Sequence, residues 1–301
     1  MFAVPADAIT GCYVPVSVVV NKTVSNFASI AIAVAGSSCS DGSGMSSAQS
    51  AQVQQLTSGG ANVRVGSLSL TRVTSSPDGT TTDSGSATFG TYTPTQMTSS
   101  LGPFQSASAG GCLVFPLTGN ATSVADPVQP QGINAGSSVG IKGPNGSANI
   151  SQPSGAATGI YGAQLAKSYL DPGAYTIALS DGDVGAITGQ LNVPAAVTWA
   201  NAKSITSIDR TQGVTVMWTG GDPSSFVVLS GASIGAMFTC TASASAGMLT
   251  VPPSVTQALP ASTSGRLTLL TVAASASFTA PGIDVGVATG STGVSQPVVF
   301  Q

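Results

Sequence analysis

Apolar residues in this chain recur two apart, in short runs closed by Gly, Pro, Asn or Asp. That period constrains the fold more than any other feature. Val14, Val16, Val18 and Val20 share one face of an extended segment; a polar Asn21-Lys22-Thr23 turn follows, and Ile30, Ile32 and Val34 repeat the spacing on the return. The pattern predicts a hairpin with one buried face. A lone two-stranded hairpin is marginal in water, so residues 1–36 are expected to be the last hairpin of a β-sandwich whose earlier strands lie upstream.

The same period continues along the chain. Val63, Val65, Leu68, Leu70 and Val73 alternate up to a Ser76-Pro77-Asp78-Gly79 turn, which sends the chain back through 80–92 as a second long hairpin. Before it, 45–56 lacks Gly and Pro and ends at Gly59-Gly60, which predicts a helix. A short strand is expected at 112–117. The proline-containing stretch 121–136 reads as a boundary. Beyond it, strands are expected at 139–142, 147–151, 159–165, 173–180 and 184–193. After Pro194 they follow at 205–209, 214–218, 226–229, 237–241, 248–251, 267–273 and 277–279, and in pieces over 285–299. A short helix is expected at 253–259, where Pro is tolerated in the first turn. The fold class is therefore all-β with minor α, in tandem β-sandwich modules: 1–36 the terminal hairpin, 37–132 a β-rich module with one helix, 133–196 a small β module, and 197–301 a β-sandwich module.

Composition then removes functions. The 301 residues carry only 8 Lys and Arg and 11 acids, all Asp; Glu and His are absent. Without histidine there is no Ser-His-Asp or Cys-His nucleophile system, no His-ligated zinc or haem, and no neutral-pH proton shuttle. A net charge of −3 with scattered cations leaves no footprint for a phosphate backbone, so no nucleic-acid partner is expected. The longest apolar runs are strand-sized, so no membrane span is expected. The first ten residues lack the charged and apolar regions of a secretion signal. The Ser- and Thr-rich, charge-poor composition is of the kind associated with bacterial surface and secreted β-proteins, which places the expected signal peptide upstream.

Candidate sites are few. Gly136-Ser137-Ser138-Val139-Gly140 and Gly231-Ala232-Ser233-Ile234-Gly235 match the nucleophile-elbow pattern, but neither has a histidine to deprotonate the serine nor a helix behind it. Asp83-Ser84-Gly85 copies an aspartic-protease triplet without the second copy such chemistry requires, and reads as a turn or strand-edge Asp. Asp181-Gly182-Asp183 offers two carboxylates on a tight turn, making Asp181 and Asp183 a calcium candidate that lacks the bidentate Glu of a strong motif. Trp199, Trp218 and the tyrosines of 161–175 could form a sugar-stacking platform, but Trp218, in the alternating run with Val214 and Val216, is expected in a core. No catalytic residue and no cofactor is expected. Of the four cysteines, Cys39 and Cys112 bracket the second module and are expected to form a disulfide contributing ~4 kcal/mol by loop entropy. Cys12 has no assigned partner, and Cys240 reads as a buried free thiol. A disulfide implies an oxidising compartment.

Gly11-Cys12-Tyr13-Val14-Pro15-Val16 with Val24-Ser25-Asn26-Phe27 resembles the C-terminal end of immunoglobulin-like (IPT/TIG-type) modules in large secreted proteins of soil bacteria. Leu68-Ser69-Leu70-Thr71-Arg72, Tyr169-Leu170-Asp171-Pro172-Gly173, Trp218-Thr219-Gly220-Gly221-Asp222-Pro223 and Gly282-Ile283-Asp284-Val285-Gly286 resemble blocks of the β-rich segment that follows that module. The resemblance implies an immunoglobulin-like first module, cut short here, and possible upstream modules of the same polypeptide. It supplies no catalytic residue. The leading expectation is a non-enzymatic extracellular structural or adhesive module, its partner an extracellular protein or glycan. The alternatives are a carbohydrate-binding or carbohydrate-active protein using Trp and Asp (Asp171, Asp181, Asp183, Asp209, Asp222) and a self-assembling surface-layer or filament subunit.

Overall fold

A computed structural model describes residues 4, 8, 10–16, 19–20, 23–24, 28–33, 35–36, 47–76, 78–98, 110–116, 130–179 and 182–301. In chain order the elements are β1 (Gly11–Val16), β2 (Val19–Val20), β3 (Thr23–Val24), β4 (Ala28–Ile32), α1 (Ser47–Ser58), β5 (Val63–Ser75), β6 (Thr81–Tyr92), α2 (Pro94–Thr98) and β7 (Cys112–Pro116). There follow β8 (Gln131–Gly132), β9 (Ser138–Gly143), β10 (Gly146–Ser151), β11 (Ile160–Gln164), β12 (Gly173–Leu179), β13 (Ile187–Val193), β14 (Thr198–Trp199) and β15 (Ser207–Ile208). The last are β16 (Val214–Thr219), β17 (Phe226–Ser233), β18 (Ala236–Ser243), β19 (Met248–Val251), α3 (Pro253–Thr256), β20 (Ser262–Val272), β21 (Ala276–Ala280) and β22 (Ile283–Phe300).

The fold is all-β, as the alternation requires. One 11-stranded sheet runs β11-β6-β5-β22-β20-β17-β18-β7, with β15 and β21 on β22 and β8 on β6. A 4-stranded sheet, β10-β9-β12-β13, covers one part of it; between them lies a first core that includes Leu70, Phe89, Ile141, Ile150, Tyr161, Tyr175, Ile187 and Phe278. A 3-stranded sheet, β14-β16-β19, covers another part over a second core with Trp199, Trp218, Leu229, Phe238, Val251 and Phe300. Helices α1 and α2 bring Val53, Leu56 and Met97 onto Val63, Val65, Val285 and Val287 as a third, smaller core. Each cluster excludes water from the apolar face that the period-two pattern wrote into the strands.

Hairpin β1–β4 pairs Val14 with Ile30, and β2–β3, a separate two-stranded sheet, pairs Val19 with Val24; β5–β6 pairs from Val63 with Tyr92 to Thr74 with Thr81. Helix α1 closes on Gly60 at φ +75°, where the Ala61 N–H donates to the Leu56 carbonyl. Two expectations are corrected. The segments 37–132, 133–196 and 197–301 do not close on themselves: β5 and β6 share their sheet with β11 and β22, while β7 joins β18 in the second sandwich. Backbone hydrogen bonding, not the proline-rich connector, decides which strands form a unit. The expected pieces over 285–299 are one 18-residue strand, β22, parallel to β5 and antiparallel to β20 and β21.

Candidate functional site

The densest chemistry lies where the β5–β6 hairpin meets the loop 165–172. Register places Arg72 opposite Asp83, on the inward face also occupied by Leu68, Leu70, Ala87 and Phe89. The guanidinium donates through Nε to Asp83 Oδ1 at 2.8 Å and through Nη2 to Asp83 Oδ2 at 2.9 Å, a bidentate pair; Nη1 donates to Asp171 Oδ1 at 2.8 Å. Asp83 Oδ2 also accepts the Leu170 N–H at 2.9 Å, tying the loop to the hairpin. Asn145, in the β9–β10 turn, donates its amide to Asp171 Oδ2 at 2.9 Å and to the carbonyls of Ser168 and Tyr169 at 3.0 and 3.2 Å. Tyr169 Oη donates toward the Gly146 carbonyl at 3.0 Å, and Tyr175 Oη toward the carbonyls of Asp171 and Tyr169 at 2.9 and 3.0 Å.

Electrostatics follows from this geometry. Burial pushes the Asp83 carboxyl up, but Arg72 and the Leu170 N–H outweigh it and hold the group below the usual carboxylate range. Asp171 is lowered by the Asn145 amide and then by Arg72. Asp83 raises the already high pKa of Arg72 further, with Asp171 adding to it. Burial, reinforced by Tyr169 and Asp171, pushes the Tyr175 phenol up to about 12. The charged groups of the cluster are thus held ionised by internal partners, and burial keeps its two tyrosines neutral. The arrangement clamps the two sheets of the first sandwich together through β5, β6 and the β9–β10 turn. Asp83 was expected at a turn or strand edge; it lies near the start of β6 but fully buried, because Arg72 across the hairpin compensates the cost of burying it.

The other expected site residues are dispersed. Asp181 lies outside the described residues. Asp183 uses its backbone, donating N–H to the Asn134 carbonyl at 2.8 Å and accepting Arg64 Nη2 at 3.3 Å. Among the described residues no group of three or more Asp or Cys is placed to hold a metal. Asp209 and Asp222 accept from Thr211 and Ser224 two residues on, closing their own turns. Trp199 and Trp218 are register partners in the second core, 8% and 3% exposed, so neither presents a stacking face. Ser233 ends a hairpin strand and donates to the Pro260 carbonyl at 2.6 Å; the elbow match leads into β18, not a helix.

The expected Cys39–Cys112 disulfide is corrected, and so is the free thiol at Cys240. Cys112 bonds Cys240, with Cα atoms 4.0 Å apart and 128 residues between them in sequence. The reason is register: β7 lies antiparallel to β18 with Cys112 directly opposite Cys240, so both side chains enter the second core. Cys39 lies outside the described residues, and so does the side chain of Cys12.

No protein-family model matches this sequence, and no curated protein matches it. Among solved structures it is similar to a chain of a 1.5-MDa bacterial ice-binding adhesin described for host cell surface retention. The identity is 15% and the TM-score 0.20, over 79% of this chain and 65% of that one. The chain therefore spans just under two thirds of the length of that structure. At this TM-score the likeness carries no argument about fold or function.

Proposed function

We propose that this chain is an extracellular structural or adhesive β-module that acts through its outer surface and not by bond-making. One observation carries the reading: β22 supplies Ile283 and Ala288 to the first core, Val285 and Val287 to the helix-covered core, and Val298 and Phe300 to the second. Both sandwiches and the helices are thereby fastened to one continuous strand, hydrogen-bonded along both edges to β5, β20, β21 and β15. The Arg72 cluster supports the same reading, since its charges are paired with one another and its tyrosine hydroxyls are taken up by backbone carbonyls. A buried disulfide suits an oxidising compartment. No described helix is long and apolar enough to cross a membrane.

Single-molecule stretching of the full chain tests the proposal. The part from β5 to β22 should extend in one cooperative event, at a force well above that releasing hairpin β1–β4. Separate, low-force release of the two sandwiches would defeat the rigid-module reading. A glycan-cleaving activity abolished by Asp171→Asn would replace it with the carbohydrate-active alternative.

A further inference from the structure

Asn145 and Gly146 are the only Asn-Gly pair in the sequence. They sit at the β9–β10 turn, where Gly143 and Gly146 are register partners and Gly146 adopts φ +99°. Asn145 is exposed to water, and Gly146 has no side chain to shield its backbone nitrogen. We propose that Asn145 is a site of spontaneous, irreversible self-modification, namely deamidation through a cyclic imide, and that the Asp171–Arg72 clamp sets its rate.

The step balances without any oxidant. The Gly146 nitrogen gives up its proton and bonds to Asn145 Cγ; the Cγ–Nδ2 bond breaks and Nδ2 departs with a proton as ammonia. Water then opens the five-membered imide at either carbonyl, leaving Asp or iso-Asp at 145. To reach that geometry the Asn145 amide must leave Asp171 Oδ2 and the carbonyls of Ser168 and Tyr169, to all of which it donates. The acceptors are themselves fixed: Asp171 by Arg72, and the loop that carries the two carbonyls by the Leu170 N–H on Asp83. Opening of this link therefore precedes chemistry. The product cannot close again, because a carboxylate at 145 has no proton to offer three oxygen acceptors. The turn is a one-way release of the β9–β10 hairpin from the loop 165–172.

Full-length protein aged in mildly alkaline buffer, with peptide mapping by mass spectrometry, tests the proposal. Asp and iso-Asp at 145 should accumulate slowly in the native chain and roughly tenfold or more faster in the urea-unfolded chain. Asp171→Ala, a change at a half-exposed side chain, should fall between them, several-fold above native. Equal rates in the native chain and Asp171→Ala would overturn control by the clamp; a native rate equal to the unfolded one would overturn protection by the fold. In the unsubstituted chain the rate should climb in urea well below the global unfolding midpoint, and a flat response there would also overturn it. Asn145→Asp installs one product directly and should speed hydrogen exchange across 165–172; unchanged exchange would refute the release.

Discussion

At the scale of single residues, the Arg72–Asp83 pair shows how a charged side chain enters a core of Leu, Phe and Tyr. Asp83→Ala leaves Arg72 without its bidentate partner and the Leu170 N–H without an acceptor, and should cost about 3–5 kcal/mol in urea unfolding. Replacing both, Arg72→Met with Asp83→Leu, should restore much of that. Acid dependence has a definite sign. Asp83 and Asp171 titrate below the ordinary value in the folded chain, so as pH falls the unfolded chain takes up protons first. Their stabilisation is complete above about pH 5 and is lost as pH drops through about 4 and on through the lowered folded values. Urea midpoints against pH should show this slope, and Arg72→Met should flatten it. Ser168 is the one described non-glycine residue in the left-handed region, at φ 62°. Relief of that strain makes Ser168→Gly neutral or stabilising by up to about 1 kcal/mol, whereas Ser168→Val should destabilise.

At the scale of the element, β22 explains why glycines read as breaks can sit inside a strand. Gly286, Gly290 and Gly293 interrupt the apolar alternation, yet each lies where another chain segment comes close. A Cβ on Gly293 would stand 1.9 Å from the Leu269 carbonyl oxygen, and one on Gly290 2.1 Å from that of Asn192. Gly293→Ala should therefore lower stability by about 1–3 kcal/mol or more in a thermal melt. Gly162→Ala is the contrast: its nearest neighbour would be Pro153 Cγ at 3.8 Å, and the substitution should be tolerated. Pro297, which cannot donate to a ladder, falls between Ser295, the last residue paired with β5, and Val299, the first paired with β15. Much at this scale was legible from sequence. The Ser76-Pro77-Asp78-Gly79 sequence marks where the chain reverses, and the β5–β6 register sets Arg72 opposite Asp83.

At the scale of the whole molecule, strands far apart in sequence decide the architecture. β22 cannot pair with β5 until more than 200 intervening residues are in place, as the Val65–Val285 partnership shows, so folding should be slow for the chain's size. The disulfide acts at the same range, holding the terminal strand β7 to β18. Cys112→Ala with Cys240→Ala should cost up to about 4–5 kcal/mol by loop entropy. Thermal midpoints with and without reductant should show that loss in the native chain and no further shift in the double variant.

The sequence by itself determined that the chain is built of strands, where most of them lie, which face of each is apolar, and that histidine and glutamate are absent. These are properties of neighbouring residues, written in a period of two and in turn chemistry. Only the tertiary structure decided that one strand serves three cores, that Cys112 meets Cys240, and that Asp83, Asp171 and Asn145 converge. Pairing between distant strands depends on which partners bury most apolar surface with every backbone donor satisfied, and no short stretch of sequence carries that information.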